Sequence, residues 1–470
     1  MLVSEEFGQY FRRLPLTHAA KIHCGNALQM DWNKVISAEH VDYILGNPPF
    51  GGKQFQNAVQ KADMELVFSG VKGAGVLDYV AAWYLKAVKY VKGDDKISSL
   101  LDIMPGAQKP PRDKVKIAFV STNSITQGEQ VGVLWSELLR QGVKIHFAHR
   151  TFSWSNEARG MAAVHCVIIG FALHDAGRKT IYDYPDLNSE PHAQTANNIN
   201  PYLVDAPDVL LPKRNEPLAN VSQMRYGSKP VDGGHLLLTN EEKAELLNVE
   251  PNAKKYIKRF LGADEFLYNV DRWCLWLKDI SPADLKSMPN VLKRVEAVKH
   301  MRLASTKEPT REMAAYPTLF AEDRQPSKDY IIVPEVSSER RQYLPVGFVS
   351  KSVVSSNLNY TIPNADLFVF GIISSAMHMA WVRNVAGRLK SDFRYSSQLV
   401  YNTFPWPSDP TDKQRDAIET AAQGVLDARA AHPDSSLADL YDPVAMPPDL
   451  RKAHQALDKA VDAAYGKKIF

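Results

Sequence analysis

The sequence predicts an α/β sheet domain at the front of the chain, a mixed α+β region behind it and a helical end. Three observations carry that expectation. Over residues 1–175, short apolar runs alternate with stretches of helical periodicity, as in a sheet with helices packed on its faces. Residues 215–408 interleave brief strand runs with helical ones. From residue 409 onward, alanine-rich segments with apolar residues at helical spacing take over. A chain of 470 residues can bury two or three cores, so several domains are the default.

The first strand is "VDYILG", from Val41, and the second is "VKIAFVST", from Val115. Between them "GVLDYVAAWYLKAVKYV" has helical spacing and lacks an internal glycine or proline. A third apolar run, "AAVHCVIIGFAL", starts at Ala162. Strand, helix, strand, helix, strand is the order of a parallel sheet. Residues 93–114 are polar and proline-bearing, and predict a surface loop. Residues 176–214, rich in Pro, Asn and Asp, predict an irregular linker wrapped between domains. In 215–408 the strand signals are "YIIVPEVS", "QYLPVGFVS" and "NYTIP". The tail, 409–470, predicts one helix opened by Thr411 and Asp412 and a second with a proline in its first turn.

Composition narrows the class. Hydrophobic residues at 45% and charged ones at 23% are ordinary globular values, and a net charge of +3 leaves room for a basic face without marking a strongly basic protein. Cys24, Cys166 and Cys274 are too few and too scattered for a disulfide scaffold, which fits a reducing, cytoplasmic location. The apolar run from Met161 to Leu173 is interrupted by His165 and is too short to cross a bilayer. No signal-peptide pattern opens the sequence. Without a G-x-x-x-x-G-K-[ST] loop, nucleotide hydrolysis has no phosphate cradle. His146, His149 and the His165–Cys166 pair lack zinc spacing, so no metal is expected.

The chemistry centres on "ILGNPPFGGKQFQ", residues 44–56. Two prolines hold the backbone extended just past a strand's carboxyl end. Open α/β sheets place ligands there. Asn47 offers a side-chain carbonyl beside the backbone carbonyl of Pro48, and Phe50 offers a flat face. Two acceptors and a stacking ring suit an amino group on a planar base; a strand-ending turn is the plain alternative.

Asn47-Pro48-Pro49-Phe50 resembles the catalytic tetrapeptide of methyltransferases that modify amino groups, including adenine N6 in DNA. The surroundings extend the likeness. "GNALQMDW" (25–32), "KADMELVFSGVKGAGVLDYVAAWY" (61–84), "IAFVSTNSITQGEQVGVLW" (117–135) and "IHFAHRTFSWSNEARGMAAVHCVIIGF" (145–171) resemble the MmeI-like restriction and modification enzymes. So do "PNAKKYIKRFLGADEF", "SSERRQYLP", "HMAWVRNVAGRLKSDFRYS", "YNTFPWP" and "SLADLYDPVAMPPDLRKAHQALDKAVD", in the family's order over nearly the whole chain.

The resemblance implies a partial Rossmann-like class I methyltransferase sheet (1–175), a target-recognition domain (215–408) and a carboxyl-terminal helical domain (409–470). It implies methyl transfer from S-adenosylmethionine to adenine N6 of a base flipped out of double-stranded DNA. Asn47 and the Pro48 carbonyl would accept the amino hydrogens, and Phe50 would stack on the base. Phe152 would cover the other face, with Trp154 as its rival; both also suit packing between strands. Asn26 is expected near the cofactor's adenine, with a turn-forming role as its alternative, and Asp78 beside the cofactor at a helix start.

For DNA, Arg388, Lys390 and Arg394 suit phosphate oxygens. Arg340, Arg341 and Lys351 suit base edges, arginine favouring guanine. The family's upstream glycine-rich cofactor motif and amino-terminal nuclease are not found in the sequence. The resemblance therefore implies the carboxyl-terminal part of a longer enzyme, with an incomplete cofactor pocket and a separately encoded nuclease and methyltransferase part as a partner. Two other classes stay open: a non-catalytic DNA-binding remnant, and a methyltransferase for RNA or protein glutamine.

Overall fold

The computed structural model describes residues 20–93, 114–154, 164–186, 189–389 and 391–466. It divides into two compact units, Met1–Ile125 with Val133–Asp208, and Thr126–Gly132 with Val209–Phe470. The loop expected over 93–114 lies, apart from its two end residues, outside the described residues.

The first unit is built on six strands: β1 (Tyr43–Gly46), β2 (Lys116–Thr122), β3 (Lys144–Trp154), β4 (Val164–Ala172), β5 (Lys179–Asp183) and β6 (His192–Ala196). Their order across the sheet is β1-β2-β4-β3-β5-β6. The expected all-parallel sheet is corrected by the pairing. β1 with β2 and β3 with β5 are parallel, whereas β2–β4, β3–β4 and β5–β6 are antiparallel. The cause is β3, which precedes β4 in the chain and reverses it. Its sequence, KIHFAHRTFSW, mixes charged, imidazole and aromatic side chains, and so does not stand out as an apolar run. β4, flanked by β2 and β3, is the buried strand that reads as continuous hydrophobic sequence.

The linker expected over 176–214 is likewise corrected, because β5 and β6 extend the sheet through it. β5 buries only Lys179 and Ile181, and four of the five β6 residues are exposed, so neither short polar strand has an apolar face to advertise it.

Helices α1 (Ala58–Val67), α2 (Ala81–Lys92) and α3 (Gly128–Arg140) complete this part of the fold. α2 is apolar nearly all round and buried nearly all round. Its Tyr84 stacks on Phe171 of β4 at 5.1 Å and meets Phe119 of β2 edge-on at 5.3 Å, which fixes the helix against the sheet. Gly93, left-handed at φ 77°, ends it.

In the second unit, Gly347–Val349, Tyr330–Pro334, Asn359–Pro363 and Arg225–Tyr226 form an antiparallel sheet in that order. A second four-stranded sheet joins Val354–Ser355, Ile257–Leu261, Trp273–Leu275 and Leu237–Leu238. The terminal helices are Asp412–Ala430, boxed by Thr411 and Gln414, and Pro448–Tyr465, with Pro448 in its first turn. They share one core with the first of these sheets, including Ile331, Ile362, Ile418 and Leu457. Gly371 permits that approach: a Cβ there would lie 2.8 Å from Ile418 Cγ2. No helix of the described residues is long and apolar enough to cross a membrane.

Candidate active site and DNA-facing surface

β1 and β2 run in the same direction, and β3 runs with them because both β2 and β3 oppose β4. The carboxyl ends of all three therefore lie at one edge. The pairing sets the levels along it. Gly46 pairs with Phe119, and Cys166 pairs with both Thr122 and Phe152. Asn47–Phe50, Thr122–Ser124 and Phe152–Trp154 thus share an edge, with β3 three strand spacings, about 14 Å, from β1.

Asn47 is exposed, Pro48 is buried and Phe50 is half-buried. Among the described residues neither the Asn47 side chain nor the Pro48 carbonyl takes part in a hydrogen bond, and Phe50 meets no aromatic ring. Two acceptors and one ring face are therefore left unengaged. The chain that follows is firmly fastened. Gly51 O accepts from Tyr79 N–H at 2.7 Å, and Gln56 Nε2 donates to Leu77 O at 3.0 Å. A Cβ at Gly51 would stand 3.2 Å from Tyr79 Cβ, so only glycine fits that approach comfortably.

Asp78 is buried beneath this loop. Its Oδ1 accepts from Lys53 N–H at 3.2 Å, and its Oδ2 accepts from the Ser124 and Thr122 hydroxyls. It thereby ties the loop to the end of β2. With both oxygens engaged inside the protein, Asp78 holds the loop from beneath the tetrapeptide.

A second buried carboxylate, Asp63 of α1, was not legible as a site residue. Its Oδ2 accepts from Tyr79 OH at 2.6 Å and Asn26 Nδ2 at 2.9 Å, and its Oδ1 accepts from Gln29 Nε2 at 2.8 Å. Burial opposes its charge, but these three donors outweigh burial and hold the carboxyl below the ordinary aspartate range. Asn26 Oδ1 accepts from Leu28 N–H at 3.0 Å. One amide hydrogen and one lone pair of the exposed Asn26 remain. A continuous chain of bonds thus joins Asn26, Asp63, Tyr79 and Gly51. One signal was available: Asp63 falls on the same helix face as buried Met64 and Val67, where a charge is out of place unless partnered.

Phe152 stacks on Tyr184 at 5.2 Å and lies 6.1 Å from Trp154. His149 stacks on Tyr182 at 4.2 Å and shares a 2.8 Å hydrogen bond with the Tyr184 hydroxyl. Burial lowers the His149 pKa, favouring the neutral ring. One Phe152 face is taken, while Trp154 is 41% exposed.

The arginines singled out in the sequence separate into two groups. Arg340 and Lys351 are exposed. Arg341 is 8% exposed, and its Nη1 lies 3.4 Å from Ser337 Oγ. Arg388 lies 3.9 Å over the Phe393 ring, donates to Ser391 O at 2.7 Å and pairs with Glu339, and burial pulls its pKa down to about 10. Its guanidinium is thus largely engaged within the protein. Arg394 is exposed and pairs with Glu335 at 2.9 Å. Lys390 lies outside the described residues. Arg225 and Arg324, exposed residues that sequence patterning did not single out, line a cavity near Arg394.

Comparison with known proteins matches three family models in succession: "MmeI, DNA-methyltransferase domain" over residues 1–183, "MmeI, target recognition domain" over 205–408 and "MmeI, C-terminal domain" over 410–470. The chain belongs to the MmeI family. A solved structure of the Type IIL restriction-modification enzyme MmeI in complex with DNA is 52% identical, with a TM-score of 0.86, over 99% of this chain and 60% of that one. "DNA methyltransferase A" of Bacillus subtilis (strain 168) is 39% identical over 459 residues, 97% of this chain and 49% of the relative. The chain thus spans about half the length of that curated relative. Within this MmeI-family chain, the tetrapeptide edge lies in the methyltransferase match and the exposed arginines lie in the target-recognition match.

Proposed function

We propose that the chain is the catalytic and target-recognition part of a site-specific methyltransferase, acting on adenine N6 of double-stranded DNA within a restriction-modification system. The observation that carries this reading is the pair of unengaged acceptors, Asn47 Oδ1 and Pro48 O, beside the Phe50 ring at the carboxyl edge of the sheet. An amino group whose two hydrogens enter those acceptors presents its nitrogen lone pair outward. No strong base is required, since positioning and loss of solvation lower the barrier. A base inside the duplex cannot reach such an edge, so the target is flipped out. Extrusion costs a few kcal/mol, and stacking offsets it by about 1–3 kcal/mol per aromatic face. Phe50 supplies one face. Of the two further candidates, Trp154 is the more open, because Tyr184 occupies one side of Phe152.

The residues present fit S-adenosylmethionine in part. Asn26 retains a donor and an acceptor toward its adenine, and Asp78 keeps the catalytic loop in place from below. When bound, the cofactor supplies an electrophilic methyl group. The glycine-rich motif that would cradle the rest of it belongs, on this proposal, to a partnering upstream segment.

The experiment is transfer of labelled methyl from S-adenosylmethionine, assayed side by side on duplex DNA, RNA and protein, with the product base identified. Label on adenine N6 of duplex DNA at discrete sites is the expected outcome. Label on RNA or on glutamine would overturn the proposal.

A further inference from the structure

The second unit contains a cavity of about 300 Å³ lined by Arg225, Tyr226, Arg324, Tyr360 and Ser396–Gln398. Residues brought together from four distant stretches of sequence build it, and none of the lining residues is a carboxylate. The Tyr226 and Tyr360 rings stack at 4.3 Å and share a 2.6 Å hydroxyl bond, giving the cavity a rigid wall. Ser396 Oγ accepts from Leu399 N–H at 3.3 Å, and Gln398 Nε2 donates to Asn215 Oδ1 at 3.0 Å, which fixes the opposite side.

Its charge is positive but not isolated. Arg225 Nη2 donates to Gln223 Oε1 at 2.9 Å, Arg324 pairs with Glu322, and the neighbouring Arg394 pairs with Glu335. Three guanidinium groups against two carboxylates leave one net positive charge, and each guanidinium has further donors to offer. A space lined by two guanidinium groups and several hydroxyls, with no carboxylate among its lining residues, is suited to an oxyanion. Adenine and cytosine, which present amino hydrogens in the major groove, suit such donors less well; guanine, which presents acceptors, is the alternative that sequence-dependent binding would reveal.

We infer that this cavity is a phosphate-binding site of the DNA backbone, in which Arg225 and Arg324 grip one phosphodiester and Ser397 supplements them. Such a contact sets the register of the duplex on the unit without reading its sequence. The inference rests on the reading of this unit as a target-recognition domain.

The test measures binding of the full chain to labelled duplexes of several unrelated sequences across a potassium chloride series. It compares the wild type with Arg225→Gln, Arg324→Gln, the double variant and Arg324→Lys, each first checked for an unchanged melting temperature. Ser397→Ala, a small change at a partly exposed hydroxyl, serves if an arginine variant fails to fold. One lost phosphate contact lowers the steepness of log K against log salt by about 0.9. The expected result is a reduction of about that size in the double variant, equal for every sequence, with Arg324→Lys retaining most of the salt dependence. An unchanged salt dependence would overturn the inference alone. So would a variant that re-ranks the sequences, because that marks a base contact. A wild-type chain that binds no duplex would remove the recognition reading itself.

Discussion

At the scale of single residues, the tetrapeptide was legible because its peculiarity is local. Two prolines directly after an apolar strand leave few conformations, and Asn47 ahead of them is exposed. Asp63 was not legible, because its partners Tyr79 and Asn26 lie 16 and 37 residues away. The same separation makes it informative now. Replacing Asp63 by Asn would turn one of its two acceptor oxygens into a donor and strand at least one of its three donors in a buried place, at roughly 1–3 kcal/mol. We expect Asp63→Asn to weaken cofactor affinity by roughly ten- to a hundredfold, and Tyr79→Phe, which spares the Asn26 and Gln29 bonds, to do less. Isothermal calorimetry with S-adenosylmethionine, beside a duplex-binding assay that stays unchanged, checks this. Equal affinities in both variants and the wild type would remove Asp63 from the positioning chain.

At the scale of elements, the sequence marks those that bury a whole face and misses those that do not. β2, β4 and both terminal helices stand out because their apolar periodicity is complete, whereas β1, with Tyr43 and Leu45 exposed, stands out by its apolar composition. β3, β5 and β6 carry polar or aromatic side chains at the sheet's far side, so periodicity has little to act on. The helices of the second unit carry a different hidden feature. His378 in Ala376–Val385 bonds to Tyr395 OH at 2.9 Å, and His454 in Pro448–Tyr465 bonds to Tyr441 OH at 2.7 Å. Burial depresses each pKa to about 3. An unfolded histidine titrates near 6.5. Below that pH the unfolded chain gains protons that the folded one refuses, so stability is full above about 6.5 and falls as pH drops toward 3. The slope reaches about 1.4 kcal/mol per pH unit for each histidine. Melting curves between pH 7 and pH 5 should therefore show the second unit losing stability. The His378→Gln, His454→Gln double variant should flatten that dependence even if it melts earlier at pH 7. A slope identical to wild type would show that these rings do not govern it.

At the scale of the whole molecule, the order of an α/β part, a mixed part and a helical end follows from composition and periodicity. The boundaries are less plain, because long-range packing sets them. The sheet continues through the stretch read as a linker, and the terminal helices join the core of the second unit. On the proposed function the two units share one task, one recognising a duplex and the other offering acceptors to an amino group. The two roles are chemically separable, and so can be broken separately. The direct measurement compares wild type and Asn47→Ala, in the protein that carries these residues, for methyl transfer to duplex adenine and for affinity toward the same duplex. Transfer that falls below detection while affinity stays within about twofold, a change of less than ~0.5 kcal/mol, is the predicted result. Loss of both in equal measure, or transfer that survives, would contradict the assignment of Asn47 as the acceptor that holds the reacting nitrogen.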